Sequence, residues 1–395
     1  MRRVAIVGAG LAGLTAAQEL RRLGYDGALV LVGAEPFRPY RRPPLSKEYL
    51  LTADDRHLTL ADGDLDDLAA TWLLGHAATG LDLPGRRVLR GTLPPVDFDG
   101  LVIATGAGAR NLPDGGHLPG VMTLRSLDDA RMLRARLADR PRVVIAGAGF
   151  LGSEIAATLR ALDLPVTLVS PDPVPLHRPL GRQVGALVAD LHRAHAVDLR
   201  LHRRVTAVTG DPTVRQVHLD DGTALPADLV VVAVGARPRV EWLRGSGLRL
   251  DDGVVVDGNG LAAPGVVAAG DVARWPQPAL DGELLRVEHY SNAIDQGAHA
   301  ARALLGYPGR FAPVPSFWGD LYGRKLRSVG LTGIRYDTHL VASEPGGRFL
   351  AEYHRDGGVV GAVTAGFTHS LAHYRDLIAK QMAAPVPAPT PFRAS

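Results

Sequence analysis

The sequence predicts an α/β protein of three units. Two parallel-sheet units share one plan, the second interrupting the first, and an α+β unit with an antiparallel sheet closes the chain. Three observations carry this reading. Val4–Gly13 (VAIVGAGLAG) is echoed by Val143–Gly152 (VVIAGAGFLG). A continuous apolar run follows each copy, Leu101–Ala107 and Leu229–Ala236. Beyond about residue 312 the apolar residues change to strand-like alternation.

Each copy reads as a β-branched strand, a glycine loop and a helix rich in small residues, with a second strand after it at Leu29–Val32 and Val166–Val169. A strand running into G-x-G-x-x-G at a helix start opens a Rossmann-like dinucleotide-binding unit. Gly8 and Gly147 make the tight turn, Gly10 and Gly149 let the backbone approach a pyrophosphate, and Gly13 and Gly152 let helix pack on strand. The helix N-terminus then holds the phosphates through its free N–H groups and dipole. Two such units imply two bound dinucleotides. The runs at 101–107 and 229–236 read as central strands buried on both faces. A polar hairpin-type turn precedes each, Asp99-Gly100 and Asp221-Gly222. Gly265–Asp271 is a further buried strand that delivers Gly270 and Asp271 to the carboxyl edge, where open α/β sheets bind ligands.

In the last unit, strands are expected around Lys325–Leu331, Asp337–Ala342, Arg348–His354 and Val359–Thr364, with a helix from about Ser370 to Met382. The Pro- and Ala-rich segment 384–395 is expected to be disordered. The divisions follow: 1–109 with 237–312, then 110–236 inserted between them, then 313–383.

Composition narrows the chemistry. The chain has 395 residues, 46% hydrophobic and 22% charged, and no cysteine. A dithiol relay, a cysteine nucleophile and a thiolate-held zinc or iron–sulfur site are thereby excluded. Redox chemistry must ride on a bound organic cofactor, and the scattered histidines suggest no metal site. A net charge of +3 is too small and dispersed to argue for nucleic acid. No apolar stretch is long enough to span a membrane. Met1-Arg2-Arg3 before an apolar run imitates an export signal, but the strand–loop–helix spacing favours a cytoplasmic enzyme. Only three of 44 basic residues are lysines, Lys47, Lys325 and Lys380.

Seven segments carry a family resemblance: RPPLSKEYL (42–50), VIATGA (102–107), LRSLDDA (124–130), GAGFLGSEIA (147–156), AAGDVARWP (268–276), RVEHYSNA (286–293) and SFWGDLYG (316–323). Over residues 1 to about 382 the chain resembles the FAD-dependent NAD(P)H:ferredoxin reductases of the rubredoxin and putidaredoxin type, in the glutathione reductase superfamily. The resemblance implies an FAD domain split by an inserted NAD(P) domain. It implies FAD and NADH or NADPH as cofactors, and an acidic iron–sulfur ferredoxin as electron acceptor. That ferredoxin would in turn feed a cytochrome P450 or a Rieske-type oxygenase. Neither nucleic acid nor membrane is implied as a partner.

Residue roles follow from the same resemblance. Gly8, Gly10, Ala12 and Gly13 cradle the FAD pyrophosphate, and Glu35 takes the adenosine ribose, alone because position 34 is Ala34. Arg42 and Lys47 belong to the flavin site, with Lys47 and Glu154 as the catalytic pair beside the reacting rings. A cation there stabilises a reduced, anionic flavin. Arg125, Asp271, Tyr290 and Trp318 lie against FAD, and Ala78, Ala104, Thr105, Gly106 and Gly270 line its bed. Gly147, Gly149, Phe150, Leu151, Gly152 and Gly235 serve the nicotinamide cofactor, with Glu288 and His289 facing the nicotinamide. Where NADH-specific relatives end the strand 166–169 with Glu, this chain has Ser170, then Asp172, with His177 and Arg178 a short loop on. The choice between NADH and NADPH is therefore open. Arg38, Arg41, Arg42, Arg310, Arg324, Lys325 and Arg327 are candidates for a positive docking ring. Two other readings fit the same motifs: an NAD(P)H oxidase or quinone-type reductase, and a non-catalytic flavin-binding interaction protein like the apoptosis-inducing factor branch.

Overall fold

The β-branched run at the amino terminus forms a strand, Arg3–Val7, paired on both edges and buried on both faces by the cores packed on either side of its sheet. The computed structural model describes residues 1–60, 65–277, 280 and 282–383. The first sheet has six strands in the order Leu261–Ala263, Val266–Ala268, Gly100–Ile103, Arg3–Val7, Ala28–Val32, Ala70–Leu73. All its pairings are parallel except that of Leu261–Ala263 with Val266–Ala268. Residues alternate across it: Ala5, Val7, Leu101 and Ile103 enter one core, Val4, Ile6, Val102 and Val267 the other. Each fully buried Val, Leu or Ile contributes about 1.5–3 kcal/mol.

The second sheet orders five parallel strands as Asp198–Leu201, Val166–Ser170, Val143–Ala146, Leu229–Val232, Val121–Thr123. Its strands fall in sequence between those of the first, so the expected insertion is present. The third sheet is antiparallel, in the order Trp318–Leu321, Arg324–Gly330, Gly358–Ala365, Arg348–Arg355, Asp337–Glu344. Tyr374 and Ile378 of the helix Ser370–Ala383 pack on it with Val329, Leu350 and Ala362. The tail expected at 384–395 lies outside the described residues.

Three expectations need correction. The apolar runs are not single strands: the first stops at Ile103 and the second at Val232. Their ends, Ala107–Ala109 and Ala236–Pro238, pair antiparallel with each other as the two crossings between the first and second units. Asp221-Gly222 is a hairpin turn, but Asp99-Gly100 is not. Gly100 begins a parallel strand, and Asp99 Oδ2 instead accepts the N–H groups of Arg2 and Arg3 at 2.7 and 2.8 Å. The strand Trp318–Leu321 went unread because Gly319 and Asp320 are poor strand formers.

The helix Leu11–Arg22 lies close against Tyr290–Leu304, with room for no side chain at Gly297, whose Cβ would fall 2.5 Å from the Ala12 carbonyl oxygen. Glu19 ties the pair, accepting from Arg22 on its own helix and from Arg302 Nε across the contact at 2.6 Å. These hydrogen bonds outweigh burial and hold its carboxyl down at about 2. The resulting stabilisation is complete above the ordinary value of 4.5 and lost as pH falls through about 2. Glu19→Gln should lower stability by about 1–2 kcal/mol at neutral pH. In thermal melts its deficit should shrink as the pH is lowered from about 5 towards 3.

Candidate functional site

The two glycine loops repeat contact for contact. Gly8 (φ +119°) donates to Val32 O and Gly147 (φ +108°) to Val169 O, each at 2.8 Å. A Cβ would meet Ala104 O at 2.0 Å in one loop and Ala233 O at 2.3 Å in the other. Only glycine fits both the angle and the approach. Gly13 and Gly152 are equally constrained, by Gly8 O at 2.0 Å and Gly147 O at 1.9 Å. A Cβ at Gly10 or Gly149 would meet nothing within 4 Å. The middle glycine of each loop thus faces open space, the bed a pyrophosphate needs.

At the first loop this space widens into a cleft of about 910 Å³ lined from all three units. It collects Gly8, Gly10, Ala12, Glu35, Arg42, Lys47, Ala78, Ala104, Thr105, Gly106 and Arg125. From the second and third units and the return of the first it collects Phe150, Leu151, Glu154, Gly270, Asp271, Glu288, His289, Tyr290 and Trp318. Gly13, Gly147, Gly149, Gly152, Ser170, Arg178 and Gly235 do not line it. Gly13 sits behind its loop; the others belong to the carboxyl edge of the second sheet or the loops beyond it.

Charge in the cleft is arranged as pairs. Arg42 Nη2 meets Glu35 Oε1 at 2.6 Å, and the Tyr40 hydroxyl donates to Glu35 Oε2 at 2.6 Å. Burial pushes the Glu35 carboxyl up, but Arg42 and Tyr40 bring it below its ordinary value. Arg42 also donates to the Arg125 carbonyl at 2.8 Å, and Arg125 Nη2 reaches Asp271 Oδ2 at 2.6 Å. Glu35 is therefore shared with Arg42 and Tyr40. His289 is pushed down to about 4 by burial, which leaves it neutral, and its Nδ1 has no hydrogen-bond partner among the described residues. Glu288 turns to Arg286.

The deepest pair is Lys47 and Glu154. Lys47 Nζ lies 2.9 Å from Glu154 Oε1, with the side chains 14% and 10% exposed. Ser46 Oγ donates to Glu154 Oε2 at 2.9 Å, and the Asp320 N–H to Oε1 at 3.2 Å. Thr158, one turn on from Glu154, donates to the Ser46 carbonyl at 2.7 Å. Burial raises the Glu154 carboxyl, with Lys47 opposing. Sequence reasoning missed Ser46, Tyr40, Thr158 and Arg239. Tyr40 and Ser46 stand beside or inside the RPPLSK segment, and Thr158 follows Glu154 at helical i,i+4 spacing, so a signal existed for these three.

Two expectations shift here. Ser170 is 2% exposed and turned inward, its Oγ accepting the Asp172 N–H at 3.2 Å, so its hydroxyl is engaged within its own turn. The proposed docking ring does not close as drawn. Arg42 points inward to Glu35, Arg38 pairs with Asp66 over the Trp72 ring, and Arg310 lies against Gly258. Arg327 and Lys325 do share a face with Trp318, lying opposite Trp318 and Asp320 in register. Trp318 packs edge-on against Tyr290, ring centroids 5.3 Å apart.

Comparison with known proteins matches these features. Residues 2–297 fit the family model described as pyridine nucleotide-disulphide oxidoreductase, and 316–388 that described as reductase C-terminal. The chain is 38% identical over 330 residues to the ferredoxin reductase component of chlorobenzene dioxygenase from Cupriavidus sp. (strain PS12), covering 83% of this chain and 80% of that protein. It is 38% identical over 344 residues to rhodocoxin reductase of Rhodococcus erythropolis, covering 86% and 80%. The crystal structure of a covalent putidaredoxin reductase–putidaredoxin complex matches with TM-score 0.90 at 32% identity, over 96% of this chain and 93% of that one.

Replacing Lys47 with Met would leave Glu154 buried without its cation. Lys47→Met should cost about 3 kcal/mol at neutral pH. Because a carboxyl raised in the folded state opposes folding once it must ionise, the deficit should grow as pH rises above 4.5. Lys47→Met/Glu154→Gln should regain most of the loss in denaturant melts; equal melts for single and double variants would exonerate the carboxylate.

Proposed function

Because the chain belongs to the pyridine nucleotide-disulphide oxidoreductase family, with the reductase C-terminal segment attached, we propose that it carries electrons from NAD(P)H through FAD to a small ferredoxin. That ferredoxin serves a Rieske-type oxygenase or a cytochrome P450. The observation that carries the reading is the pair of matched glycine loops, one opening into the 910 Å³ cleft. The absence of cysteine separates this chain from dithiol-using chemistry. We assign residues 1–109 and 237–312 to FAD, 110–236 to the nicotinamide cofactor and 313–383 to the cleft's outer wall, and place the enzyme in the cytoplasm. Among the described residues no helix is long and apolar enough to cross a membrane.

The residues fit FAD. The open face of Gly10 suits its pyrophosphate, and Arg42, Arg125 and Asp271 supply paired charge beside it. When bound, FAD supplies what no side chain here can: acceptance of a two-electron hydride and release of single electrons. The chain's own residues align and charge the site. Glu154, fixed by Ser46 and the Asp320 N–H, holds the Lys47 ammonium at one point in the cleft wall. A fixed cation in a partly dry pocket favours negative charge developing beside it far more than a solvated one. No proton needs to move between side chains. Phe150, Phe317 and Trp318 give the cleft wall an apolar stretch, Phe150 and Phe317 packing edge-on with ring centroids 4.8 Å apart. Lys325 and Arg327 beside Trp318 give an acidic ferredoxin a cationic approach.

The purified protein should be yellow from non-covalent FAD. NAD(P)H should drive cytochrome c reduction rapidly only when ferredoxin is added; rapid turnover with dioxygen or quinone alone would favour the oxidase reading. Ferredoxin-dependent turnover should fall about tenfold from low to physiological salt, as screening shortens to about 8–10 Å. Flavin reduction by NAD(P)H should change far less.

A further inference from the structure

The strand Trp318–Leu321 lies at the edge of the third sheet and returns to Arg324–Gly330 through only two residues, Tyr322 and Gly323. Both have positive φ, +55° and +73°, as the tight turns that match strand twist require. Gly323 suits that region and Tyr322 does not: asparagine, aspartate or glycine is the usual first residue of such a turn. A bulky side chain held at positive φ points to a demand made by its surroundings.

Those surroundings are the end of the helix His177–Ala194 in the second unit. The Tyr322 hydroxyl shares a 2.7 Å hydrogen bond with Nδ1 of the fully buried His192. His192 Nε2 has no partner among the described residues, so loss of that hydroxyl would strand the whole ring in a dry place. The His195 ring lies flat on the Tyr322 ring, centroids 3.7 Å apart and planes 13° from parallel. His195 is itself held: its carbonyl accepts Arg160 Nε at 2.9 Å, and its Nδ1 lies 2.8 Å from Leu191 O. Burial pushes His192 down to about 4 and the Tyr322 phenol above its ordinary range, so both are neutral near pH 7. Tyr322 is thus a wedge from the third unit fixed between two histidines of the second.

The same strand touches the cleft just upstream. Asp320 turns its N–H to Glu154 Oε1 at 3.2 Å. A Cβ at Gly319 would come within 3.4 Å of both Glu154 Oε1 and the Phe150 ring, so the strand is pressed on the helix Phe150–Ala161. Trp318 rests edge-on against Tyr290. We propose that Tyr322, which does not line the cleft, is a positioning residue for this wall of it. Wedged between His192 and His195, it fixes how the strand is seated. It thereby holds the Asp320 N–H on Glu154, the Lys47 ammonium that Glu154 carries, and the Trp318 ring. A four-residue strand paired on one side has few other contacts to set its place. A shift of about 1 Å there would break the Asp320 bond and misplace the cation. The inference rests on the proposed function for what that cation does, and goes beyond it by giving a residue outside the cleft a part in placing it.

The test is hydrogen exchange, resolved to single amides, on the flavin-loaded protein. Tyr322→Asn keeps a residue suited to the positive φ and removes the wedge. The Asp320 amide should then exchange about tenfold faster, with Ala351 and Val363, paired deep in the same sheet, within about twofold of wild type. Flavin reduction by NAD(P)H should slow about tenfold in the same preparation. Tyr322→Phe, which keeps the ring on His195, should leave Asp320 within about threefold of wild type. His195→Ala, at an exposed position, should speed Asp320 about threefold and carries the test if Tyr322→Asn does not fold. Equal acceleration at Asp320, Ala351 and Val363 would mean lost stability alone. That result, an Asp320 amide as slow as wild type, or a freed Asp320 with unchanged flavin reduction would each overturn the inference. If neither nicotinamide reduces the wild-type flavin, the proposed function itself fails, and the exchange pattern still decides whether Tyr322 seats the strand.

Discussion

A carboxylate buried where three folding units meet has to be satisfied by all of them, and Glu154 is that carboxylate. Its own helix belongs to the second unit, Ser46 and Lys47 reach it from the first, and the Asp320 N–H from the third. Leaving any of these partners out would strand a polar group in a nearly dry place. The three units are thus held in one relative arrangement at the point where that arrangement matters most. The cation of Lys47 is placed by the same contacts that join the units, so assembly and chemistry share one set of hydrogen bonds.

The other charges of the cleft follow a similar rule. Arg42 leans on Glu35 and Arg125 on Asp271, each at 2.6 Å. A paired arginine has a fixed direction and little rotamer freedom left to lose, so a ligand arriving there meets donors already in place. Tyr40 extends the arrangement by donating to Glu35 while accepting the Leu127 N–H at 2.9 Å. That bond also serves the start of the helix Leu127–Leu137, where Ser126 and Asp129 form a reciprocal cap.

What could be read in the sequence was what local rules encode. Glycines at fixed spacing after β-branched residues gave both loops, because no other residue tolerates the φ at Gly8 and Gly147. Alternating apolar residues gave four of the five carboxyl-terminal strands. What could not be read depends on neighbours far along the chain. The runs ending at Ala107 and Ala236 look like continuous strands until the partner of each last segment is seen to be the other. Ser170 looked like a ligand contact by position, yet its hydroxyl is spent two residues away on the Asp172 N–H. Arg42 was read both into the flavin site and into a surface ring, and a half-buried Glu35 seven residues back draws it inward to the cleft. Arg239 has no motif around it, and only the fold brings it to the cleft.

The crossing ribbon has a consequence for how such a protein comes to exist. Ala107–Ala109 and Ala236–Pro238 run side by side, and beyond them the Arg110 N–H donates to Gly235 O at 3.0 Å. The chain enters and leaves the second unit at virtually the same point. Cutting there and joining the ends would need only a tight turn, and the first sheet would keep all six of its strands. The inserted half is thus a cassette with both ends at one doorway, which recombination can exchange for another nucleotide-binding half without disturbing the host sheet.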